Sequence, residues 1–553
     1  MSEAARRLLR TLADAGVEVC FTNPGTTEIE LVAALDSEPR LRPVLTLFEG
    51  VATGAADGYA RMRERPAATL LHLGCGLGNG LANLHNARRA GVPVLNLVGD
   101  HASSHRAYDA PLQSDIETVA RNVSAWVRTC ASAGSLCSDA LQALAAALGP
   151  PAGVATLIVP ADVSWGEDAG APVAPVAQPA RPAPVAEAAI DDAARALVDA
   201  GPAALLLGGH ALREPALLAA ARIAERSGAR LLAETFPTRM ERGAGLPAVE
   251  RIAYLPELAA VQLDGLRSVV LVGARPPAAF FAYPGRSGDL LPPACTACGL
   301  AAAGDDVDDA LQRLAGRLGA RQATPRLQQP ALPRPARGSL SAQKVCREVG
   351  RLLPQQAIVV DEAQTSAVML PLYTAGAPRH DLLTLTGGAI GQGLPLAVGA
   401  AIACPQRPVI ALVGDGAALY TLQALWTMAR ERLHVVCVVF NNRSYAILNL
   451  ELQRLAGGRA AAGARSQFDL GEPPLDFVRL ADGLGVPGVR AATAEEFAAA
   501  FAHALASPGP HLIEAVVPPA IGGLKLRLLP RLLRRLDAMP RPLARAIQRK
   551  VAP

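Results

Sequence analysis

Short apolar runs recur along the first 170 residues, and each of them ends on glycine or polar residues. Between the runs, apolar residues return at the spacing of a helix face. This alternation predicts strands joined by helices, that is, a doubly wound parallel sheet whose ligands bind beyond the carboxyl ends of the strands. The strands predicted for this first unit are residues 17–21, 44–48, 69–73 and 94–98.

The same rhythm returns twice, after stretches rich in proline and alanine at 171–187 and 323–337. Such stretches are typical of linkers. The strands predicted for the later units are 203–207, 230–232 and 268–272, then 357–360, 409–413 and 434–440. The fold class predicted is therefore α/β, with three doubly wound parallel-sheet domains. We place these domains at residues 1–170, 188–322 and 339–518, followed by a tail at 519–553.

Composition narrows the classes of function. The 53 Lys and Arg residues nearly balance 49 Asp and Glu, so nothing indicates nucleic-acid binding. The sequence contains no run of about 18 apolar residues, which is the length needed to cross a bilayer. Glu3 and Asp14 interrupt the apolar core that a signal peptide would need. The nine cysteines form no framework, which favours the reducing cytoplasm. Cys295 and Cys298 form a CxxC with no second pair, so ordinary thiols are favoured over zinc ligands.

The third unit contains two apolar runs that end on candidate ligands for a cation. The first run ends on Gly414, Asp415 and Gly416, and the second ends on two asparagines, the later of which is Asn442. A helix is predicted between them at 419–430. If both runs are parallel strands, a carboxylate and an amide oxygen lie at one sheet edge. Mg²⁺ prefers such oxygen ligands and usually takes others from a phosphorylated compound.

Asp415 and Asn442 are 27 positions apart, and this arrangement resembles the cofactor signature of thiamine diphosphate-dependent enzymes. A lone Gly-Asp-Gly is a common turn, but the flanking strands and the paired asparagines favour the cofactor site. The resemblance implies that Asp415, Asn442 and the backbone carbonyl of Ser444 bind Mg²⁺, which neutralises the diphosphate. The backbone groups implied to contact the phosphates, at a helix N-terminus, are those of Gly414, Gly416 and Ala417.

The segment LTLFEGVATGAADGYAR resembles the part of the same family that carries a catalytic glutamate. The match implies that the Glu49 carboxyl group hydrogen-bonds the aminopyrimidine ring and promotes the imino tautomer, which deprotonates the thiazolium carbon. Family members often have histidine where this chain has Phe48. The alternative is that Glu49 only begins a helix, where a carboxylate is favoured. The continuation from Asp57 to Arg61 matches the family and favours the catalytic role.

The string LTGGAIGQGLP resembles the family segment that cradles the two rings of the cofactor. It implies that the Gly388 carbonyl accepts a hydrogen bond from the 4′-amino group and that Ile390 holds the cofactor bent. The alternative, a glycine turn packed in the core, does not account for the whole string. Gln364 and Thr365 match positions that contact the diphosphate.

The likeness extends over residues 17–517 and is closest to the acetolactate synthase large-subunit and benzoylformate decarboxylase group. It implies decarboxylation of a 2-oxo acid, followed by attack of the resulting enamine on an acceptor carbonyl. It also implies a homodimer or tetramer, with the active site between the N-terminal domain of one subunit and the C-terminal domain of its partner.

Two alternatives stay open at this point. One is a non-ligating decarboxylase similar to benzoylformate decarboxylase, and the other is a catalytically quiet regulatory or assembly relative. No sequence feature secures FAD, which some relatives retain in the central domain, and none rules it out.

The substrate side of the site depends on fewer matches. Thr26 lies where the decarboxylases have a substrate-binding serine, although it could instead cap a helix. His72 lies where they have a proton-transfer histidine, with a half-buried strand histidine as the alternative. Gln113 matches a glutamine of the acetolactate synthase and benzaldehyde lyase pattern. Phe281 belongs to the segment where decarboxylases carry a second catalytic histidine, which predicts a more apolar pocket. Residues 446–451 depart from the acceptor segment of acetolactate synthases.

The tail is basic and amphipathic. From residue 522 onward it carries nine Lys and Arg against one acid, Asp537. Leucines recur every four residues at 524, 528, 532 and 536, with Pro530 between them. One hypothesis is an interfacial helix on an anionic membrane surface. The alternative is a helix packed on the protein, or a frayed terminus.

Overall fold

The apolar runs of the sequence form strands that are buried on both faces, as parallel sheets covered by helices require. In β15 (Val409–Gly414), for example, the first five residues are all buried. The structure is a computed structural model that describes residues 2–167, 182–199, 201–456, 462–519, 523–536 and 539–551. Most of the linker predicted at 171–187 therefore lies outside the described residues.

The N-terminal unit is a parallel sheet in the order β2-β1-β3-β4-β6-β5, with helices on both faces. Its strands are β1 (Val19–Asn23), β2 (Arg42–Leu45), β3 (Ala67–Leu71), β4 (Val94–Asp100), β5 (Trp126–Thr129) and β6 (Val154–Pro160). Its helices are α1 (Glu3–Asp14), α2 (Ile29–Ala34), α3 (Glu49–Arg63), α4 (Leu73–Ala90), α5 (Ile116–Arg121), α6 (Ala133–Leu148) and α7 (Ala161–Ser164).

The central unit is a second parallel sheet, in the order β10-β8-β7-β11-β12. The strands in this part of the chain are β7 (Ala203–Leu207), β8 (Arg230–Ala233), β9 (Arg239–Arg242), β10 (Glu250–Arg251), β11 (Ser268–Val272) and β12 (Thr296–Ala301). The helices are α8 (Glu187–Val198), α9 (Glu214–Ser227), α10 (Pro256–Leu263) and α11 (Val307–Arg317).

The third sheet has the order β17-β18-β16-β15-β13-β14-β9. Its strands are β13 (Ala357–Glu362), β14 (His380–Thr384), β15, β16 (Val435–Asn441), β17 (Gly488–Ala491) and β18 (His511–Val516). Its helices are α12 (Ala342–Leu352), α13 (Leu370–Tyr373), α14 (Gly393–Ala403), α15 (Asp415–Ala418), α16 (Ala424–Arg430), α17 (Ala446–Ala456), α18 (Ala462–Ser466), α19 (Phe477–Gly483) and α20 (Ala494–Ala506). The edge strand β9 comes from the central part of the chain and pairs antiparallel with β14.

The α/β prediction with three parallel-dominant sheets is confirmed. Strands 203–207 and 268–272 have their predicted bounds, and the other predicted strands differ by one to three residues at one or both ends. The strand predicted at 69–73 ends at Leu71, and the glycine-rich segment after it belongs to α4. These glycines let α4 approach α3, since a Cβ on Gly80 would lie 2.8 Å from the side chain of Thr53. The helix predicted at 419–430 begins only at Ala424 as α16, and the short helix α15 ends at Ala418 before it.

Helices α3 and α14 join the N-terminal and third units through very close backbone packing. A Cβ on Gly58 would lie 2.1 Å from the Leu396 carbonyl oxygen, and one on Gly399 would lie 1.9 Å from the Ala55 carbonyl oxygen. Only glycine fits at such crossings. The contact fixes the start of α3, where Glu49 lies, relative to the segment that precedes α14.

Arg61 on α3 occupies the place where all three units meet. Its fully buried guanidinium binds both carboxylate oxygens of Asp57, at 2.7 and 2.8 Å. It also donates to the backbone carbonyls of Thr238 at 3.0 Å and Thr384 at 2.8 Å, and to the Thr386 hydroxyl at 2.9 Å. The charge is thus paired and its donors are used, which a buried ion requires.

The tail forms α21 (Gly523–Arg535) and α22 (Arg541–Val551), which pack on α10 and α17. Leu533, Leu536 and Ala544 are buried in one cluster with residues of the central unit. The described helices therefore lie on the protein, as the alternative hypothesis for the tail expects. Among the residues described, no helix is long and apolar enough to span a bilayer.

The two cysteines of the CxxC belong to different hydrophobic clusters of the central unit. Cys298 packs against one cluster, and Cys295 packs against the cluster that also receives the tail. Both thiols are free. The side chains therefore face different surroundings, which fits the interpretation as ordinary thiols.

We predict that Arg61→Ala lowers the free energy of unfolding by about 3–5 kcal/mol, because Asp57 is left as a buried, unpaired charge. Urea unfolding measures the loss. Arg63→Ala is the matched control two residues along the same helix. The Arg63 side chain is 46% exposed and pairs with Glu18 at the surface, so its removal should cost no more than about 1 kcal/mol. Equal losses would contradict the junction role of Arg61.

Candidate active site

Glu49 begins α3 at the carboxyl edge of the N-terminal sheet. It is only 7% exposed, and its Oε2 accepts a hydrogen bond from the Asn79 side chain at 3.0 Å. A Cβ on Gly76 would lie 2.8 Å from Oε1, so the glycine leaves room for the carboxyl group. The glycine-rich start of α4 is therefore built around this side chain.

His72 precedes α4 and is held by Glu28, which the sequence interpretation missed. The His72 Nδ1 lies 2.8 Å from Glu28 Oε2, and Glu28 is fully buried. The same Oε2 accepts from the Gly25 backbone N–H at 2.7 Å. A neutral His72 that donates to the Glu28 carboxylate carries its proton on Nδ1, and Nε2 has no hydrogen-bond partner among the described residues. The only sequence signal for Glu28 was its place at the end of a predicted strand.

Thr26 and Gln113 lie near the same edge. Thr26 is exposed and begins the short 3₁₀ turn Thr26–Glu28, which Gly25 rather than Thr26 caps. The Gly25 backbone contacts the His72 ring, since a Cβ there would lie 2.3 Å from Nδ1. Gln113 has a buried Oε1 with no hydrogen-bond partner among the described residues. Its neighbour Ser114 packs on Gly74, because a Cβ on Gly74 would lie 2.0 Å from the Ser114 hydroxyl.

Asp415 and Asn442 meet at the end of the third sheet, because β15 and β16 are neighbouring parallel strands. Asp415 is buried, and its carboxylate accepts from the backbone N–H of Gly416 at 2.9 Å and of Arg443 at 2.6 Å. Burial raises the pKa of Asp415, and these N–H groups oppose the rise. The Asn442 Oδ1 is buried without a hydrogen-bond partner among the described residues. An orphaned oxygen beside a carboxylate suits a cation.

The other residues predicted around this edge have distinct surroundings. The Ser444 carbonyl accepts from the Ala446 N–H at 2.9 Å, which leaves it one lone pair. A Cβ on Gly414 would meet no atom within 4 Å, so this glycine faces open space. A Cβ on Gly416 would lie 2.3 Å from the Tyr445 ring, so that glycine is required by packing. Ala417 is buried in α15.

The segment before α14 is held by hydrogen bonds from the N-terminal unit. Gly388 has φ +79°, a conformation that favours glycine, and the Ile390 side chain packs partly on the core that the two units share. Asn86 donates to the Ala389 carbonyl at 2.8 Å, and His85 Nε2 lies 3.1 Å from the Gly387 carbonyl oxygen. The predicted cradle is thus a fixed loop.

Glu362 also holds the segment before α14, a role that the sequence interpretation missed. Its carboxylate accepts from the backbone N–H groups of Gly391, Gln392 and Gly393, at 2.7, 2.9 and 2.7 Å. Burial raises the pKa of Glu362 to about 7, against the lowering effect of these N–H groups. The bonds satisfy donors at the start of α14 that would otherwise lack partners.

Gln364 and Thr365 follow β13 and line a cavity of about 1430 Å³ between the third unit, the central unit and the tail. Gln364 has φ +47°. The aromatic residue beside the cradle is Phe280 rather than Phe281, because the Phe280 ring lies 4.0 Å from where a Cβ of Gly388 would be. Phe281 is 61% exposed.

Comparison with known proteins identifies the group to which this arrangement belongs. Residues 2–120 match the family model "Thiamine pyrophosphate enzyme, N-terminal TPP binding domain", and residues 362–515 match its C-terminal counterpart. The chain belongs to the thiamine pyrophosphate-dependent enzymes. Thiamine pyrophosphate is the compound called thiamine diphosphate above.

The relatives include two activities. A putative acetolactate synthase large subunit, IlvX, of Mycobacterium tuberculosis is 54% identical over 94% of this chain and 99% of that protein. A benzoylformate decarboxylase of Pseudomonas aeruginosa is 31% identical over 90% of this chain and 96% of that protein. The solved thiamine diphosphate-dependent 4-hydroxybenzoylformate decarboxylase of Rhodococcus jostii RHA1 has a TM-score of 0.81 and 27% identity, over 93% of this chain and 98% of that one.

The residues of this thiamine pyrophosphate enzyme fit its cofactor. The open space at Gly414 leaves room for a group to approach the backbone, and the orphaned Asn442 Oδ1 lacks a partner that a bound cation would supply. Glu49 keeps Oε1 free of a protein hydrogen bond among the described residues, since the Asn79 amide uses Oε2. The two ends of the cofactor thus have complementary groups on two units of the fold.

We predict that Gly414→Ala leaves the free energy of unfolding of the apoprotein within about 1 kcal/mol, since φ −74° suits alanine and no atom is near. The added methyl group should fill the approach to the backbone and weaken thiamine diphosphate binding by about 10-fold or more. Fluorescence titration measures the affinity.

Gly416→Ala serves as the matched comparison. There the methyl group overlaps the Tyr445 ring, so we expect a loss of about 1–3 kcal/mol in urea unfolding. Unchanged cofactor affinity in Gly414→Ala would exclude Gly414 from the diphosphate site.

Proposed function

We propose that this enzyme uses thiamine diphosphate and Mg²⁺ to decarboxylate a 2-oxo acid and to join the remaining acyl group to an acceptor carbonyl. The observation that carries the proposal is the buried Asn442 oxygen beside Asp415, at the ends of adjacent strands, which has no hydrogen-bond partner in the described part of the chain. The ligation outcome is supported by the relative named putative acetolactate synthase large subunit and by the aromatic ring near Gly388.

Mg²⁺ would be held by one Asp415 carboxylate oxygen, Asn442 Oδ1 and the Ser444 carbonyl. Among the residues that the structure describes, no three His, Cys, Asp or Glu side chains converge on a metal position. A site with one carboxylate is therefore incomplete without further oxygens, which the diphosphate can provide.

At the reactive end, the chain supplies proton control. The cofactor, when bound, provides a nucleophilic carbon and takes up the electron pair released with CO₂. Glu49 would exchange a proton with the aminopyrimidine ring through Oε1, while Asn79 fixes Oε2. In its imidazolium form, with Nδ1–H donating to Glu28, His72 would give the proton on Nε2 to the developing alkoxide of the acceptor and return to the neutral tautomer.

Phe280 supports ligation over simple decarboxylation. Its ring packs edge-on against Phe236, with centroids 5.3 Å apart, and also against Tyr254 at 5.1 Å. An aromatic ring has no proton to deliver, so on this side the acyl group is shielded from protonation. The second candidate, a decarboxylase releasing an aldehyde, is favoured by the His72–Glu28 pair, which could protonate the same carbon. It also agrees with the names of the decarboxylase relatives.

The proposed active unit is a homodimer or tetramer with the site between subunits. Large apolar side chains are exposed close to the site residues: Leu47 at 47%, Leu419 at 39% and Tyr420 at 54%. Leu47 lies two positions before Glu49, and the other two follow α15. A partner subunit that covered them would remove apolar area from water and enclose the cofactor.

We predict that Asp415→Asn lowers the affinity for thiamine diphosphate in the presence of Mg²⁺ by about 100-fold. The variant removes the only charged side chain among the proposed Mg²⁺ ligands and keeps the shape of that side chain. Cofactor titrations over a Mg²⁺ series test this. Asp469→Asn is the matched control, because Asp469 is exposed and its backbone pairs with that of Ser444. Loss of this exposed charge should change the affinity for thiamine diphosphate by less than about twofold. Parallel titration curves for both variants would contradict the ligand assignment.

We predict CO₂ release and a 2-hydroxy ketone product when the holoenzyme receives pyruvate or benzoylformate with an aldehyde or oxo-acid acceptor. Mass spectrometry distinguishes the outcomes. Aldehyde alone favours the decarboxylase, and no CO₂ with cofactor bound favours the catalytically quiet relative.

Glu49→Gln should lower CO₂ release by about 100-fold or more while cofactor affinity stays within about threefold. An unchanged rate would refute the role of Glu49.

A further inference from the structure

The C-terminal helices do more than cover the protein surface, because they form one wall of the cavity of about 1430 Å³. The opposite walls come from the segment after β10, including Tyr254 and Leu255, and from residues 364–369. The cavity exceeds the ~300–1,000 Å³ of ordinary small-molecule sites, so it has room for an extended ligand.

Helix α21 presents two different apolar faces. Leu533 and Leu536 are 1% exposed and pack on the central unit. Leu528 and Leu532 lie on the cavity side, and Leu528 is 49% exposed. On the facing wall, Val368 is 39% exposed. The cavity thus contains apolar side chains whose surface the protein itself leaves uncovered.

The charges that line the cavity are mostly positive. Arg531 and Arg535 share the cavity face of α21 with Leu528 and Leu532, at helical spacing, and Lys550 of α22 also lines it. Within the described ranges, none of these three cations has an ion pair. On the opposite wall, Arg251 and Asp361 both line the cavity, and their charged groups are 4.0 Å apart.

The cavity overlaps the predicted cofactor site at one end only. Gln364 and Thr365 line one end, but Glu49, Asp415 and Asn442 do not line it. A cofactor held at Asp415 and Asn442 would have most of its contacts outside the cavity. The cationic and apolar wall made by the tail is therefore left for a different ligand.

We propose that this cavity binds an amphipathic anion, with an aliphatic body against Leu528, Leu532 and Tyr254 and a carboxylate or phosphate head against Arg531, Arg535 and Lys550. The head is recognised as a charge-assisted hydrogen-bond acceptor, and the body covers the exposed leucine surface. Free carboxylates of long chain length and anionic membrane lipids share this chemistry. We assign the site to the free compound, because these side chains face into a cavity between folded parts of the chain. The assignment does not depend on the reaction proposed above.

Isothermal titration of the holoenzyme with dodecanoate, at saturating thiamine diphosphate and Mg²⁺, tests the site. We expect saturable binding of one molecule per chain, weakened about 10-fold in Arg531→Gln/Arg535→Gln. Arg545→Gln/Arg549→Gln is the matched control, because it removes two charges from the same tail at residues lining a separate, smaller cavity. This control should stay within about twofold of the wild type, and dodecan-1-ol should bind about 10-fold more weakly than dodecanoate.

Three results would overturn the proposal. Equal weakening by both double variants would indicate bulk charge attraction. Displacement of thiamine diphosphate by dodecanoate would assign the cavity to the cofactor. Co-sedimentation of the protein with phosphatidylglycerol vesicles, without saturable binding of soluble dodecanoate, would assign the tail to a membrane surface.

Discussion

The buried Arg61 guanidinium is the interaction on which the arrangement of the three units depends. The guanidinium is fully buried, so protein atoms must pair its charge and accept its hydrogen bonds. The Asp57 carboxylate on α3 and the backbone carbonyls of Thr238 and Thr384 do so. Domains contribute typically 5–15 kcal/mol of net stability, and a buried charge left unpaired costs a large part of that. Separation of the units would expose this network, so they are held in one geometry. That geometry brings the start of α3 and the start of α14 into a fixed relation.

A second set of buried polar groups connects the Arg61 network to the loop around Gly388, the predicted cradle of the cofactor rings. The Gln392 side chain donates to Asp57 at 2.5 Å, and its own backbone N–H binds Glu362. Glu362 therefore links the loop around Gly388 to the same network that fixes Arg61. Gly388 and Gly391 of the loop adopt positive φ values, and the Glu362 carboxylate accepts from the backbone N–H groups of residues 391–393. A pKa of about 7 shows that this carboxyl group is costly to ionise where it lies, which is expected of a group kept for position.

The local sequence pattern predicted the buried strands, whose positions depend mainly on apolar residues that are neighbours in the chain. Strands 203–207 and 268–272 have the predicted bounds, because an apolar run in a buried parallel strand leaves little ambiguity. The meeting of Asp415 and Asn442 followed from two consecutive strand ends. Strand 69–73 was wrong at its end, because the glycines after it serve helix packing against α3 rather than a turn.

The partners that the sequence did not reveal are set by distant contacts. Glu28 acts through His72, which lies 44 positions away, and Glu362 acts through backbone groups about 30 positions away. No spacing rule connects such pairs. The same holds for Phe280, whose position beside Gly388 depends on how the central unit packs against the third.

The tail shows why an amphipathic pattern alone leaves its partner undetermined. Leucine every fourth residue requires an apolar partner, but lipid, a second protein surface and an internal cavity all satisfy that requirement. In the folded chain, α21 divides its leucines between the central unit and the cavity, so one helix stabilises the fold and shapes a ligand-sized space. Because Gln364 and Thr365 line the other end of that space, a compound long enough to fill it would contact the segment after β13. Glu362, which positions the Gly388 loop, ends that same strand, so the wall of the cavity and the support of the cradle are neighbours along the chain.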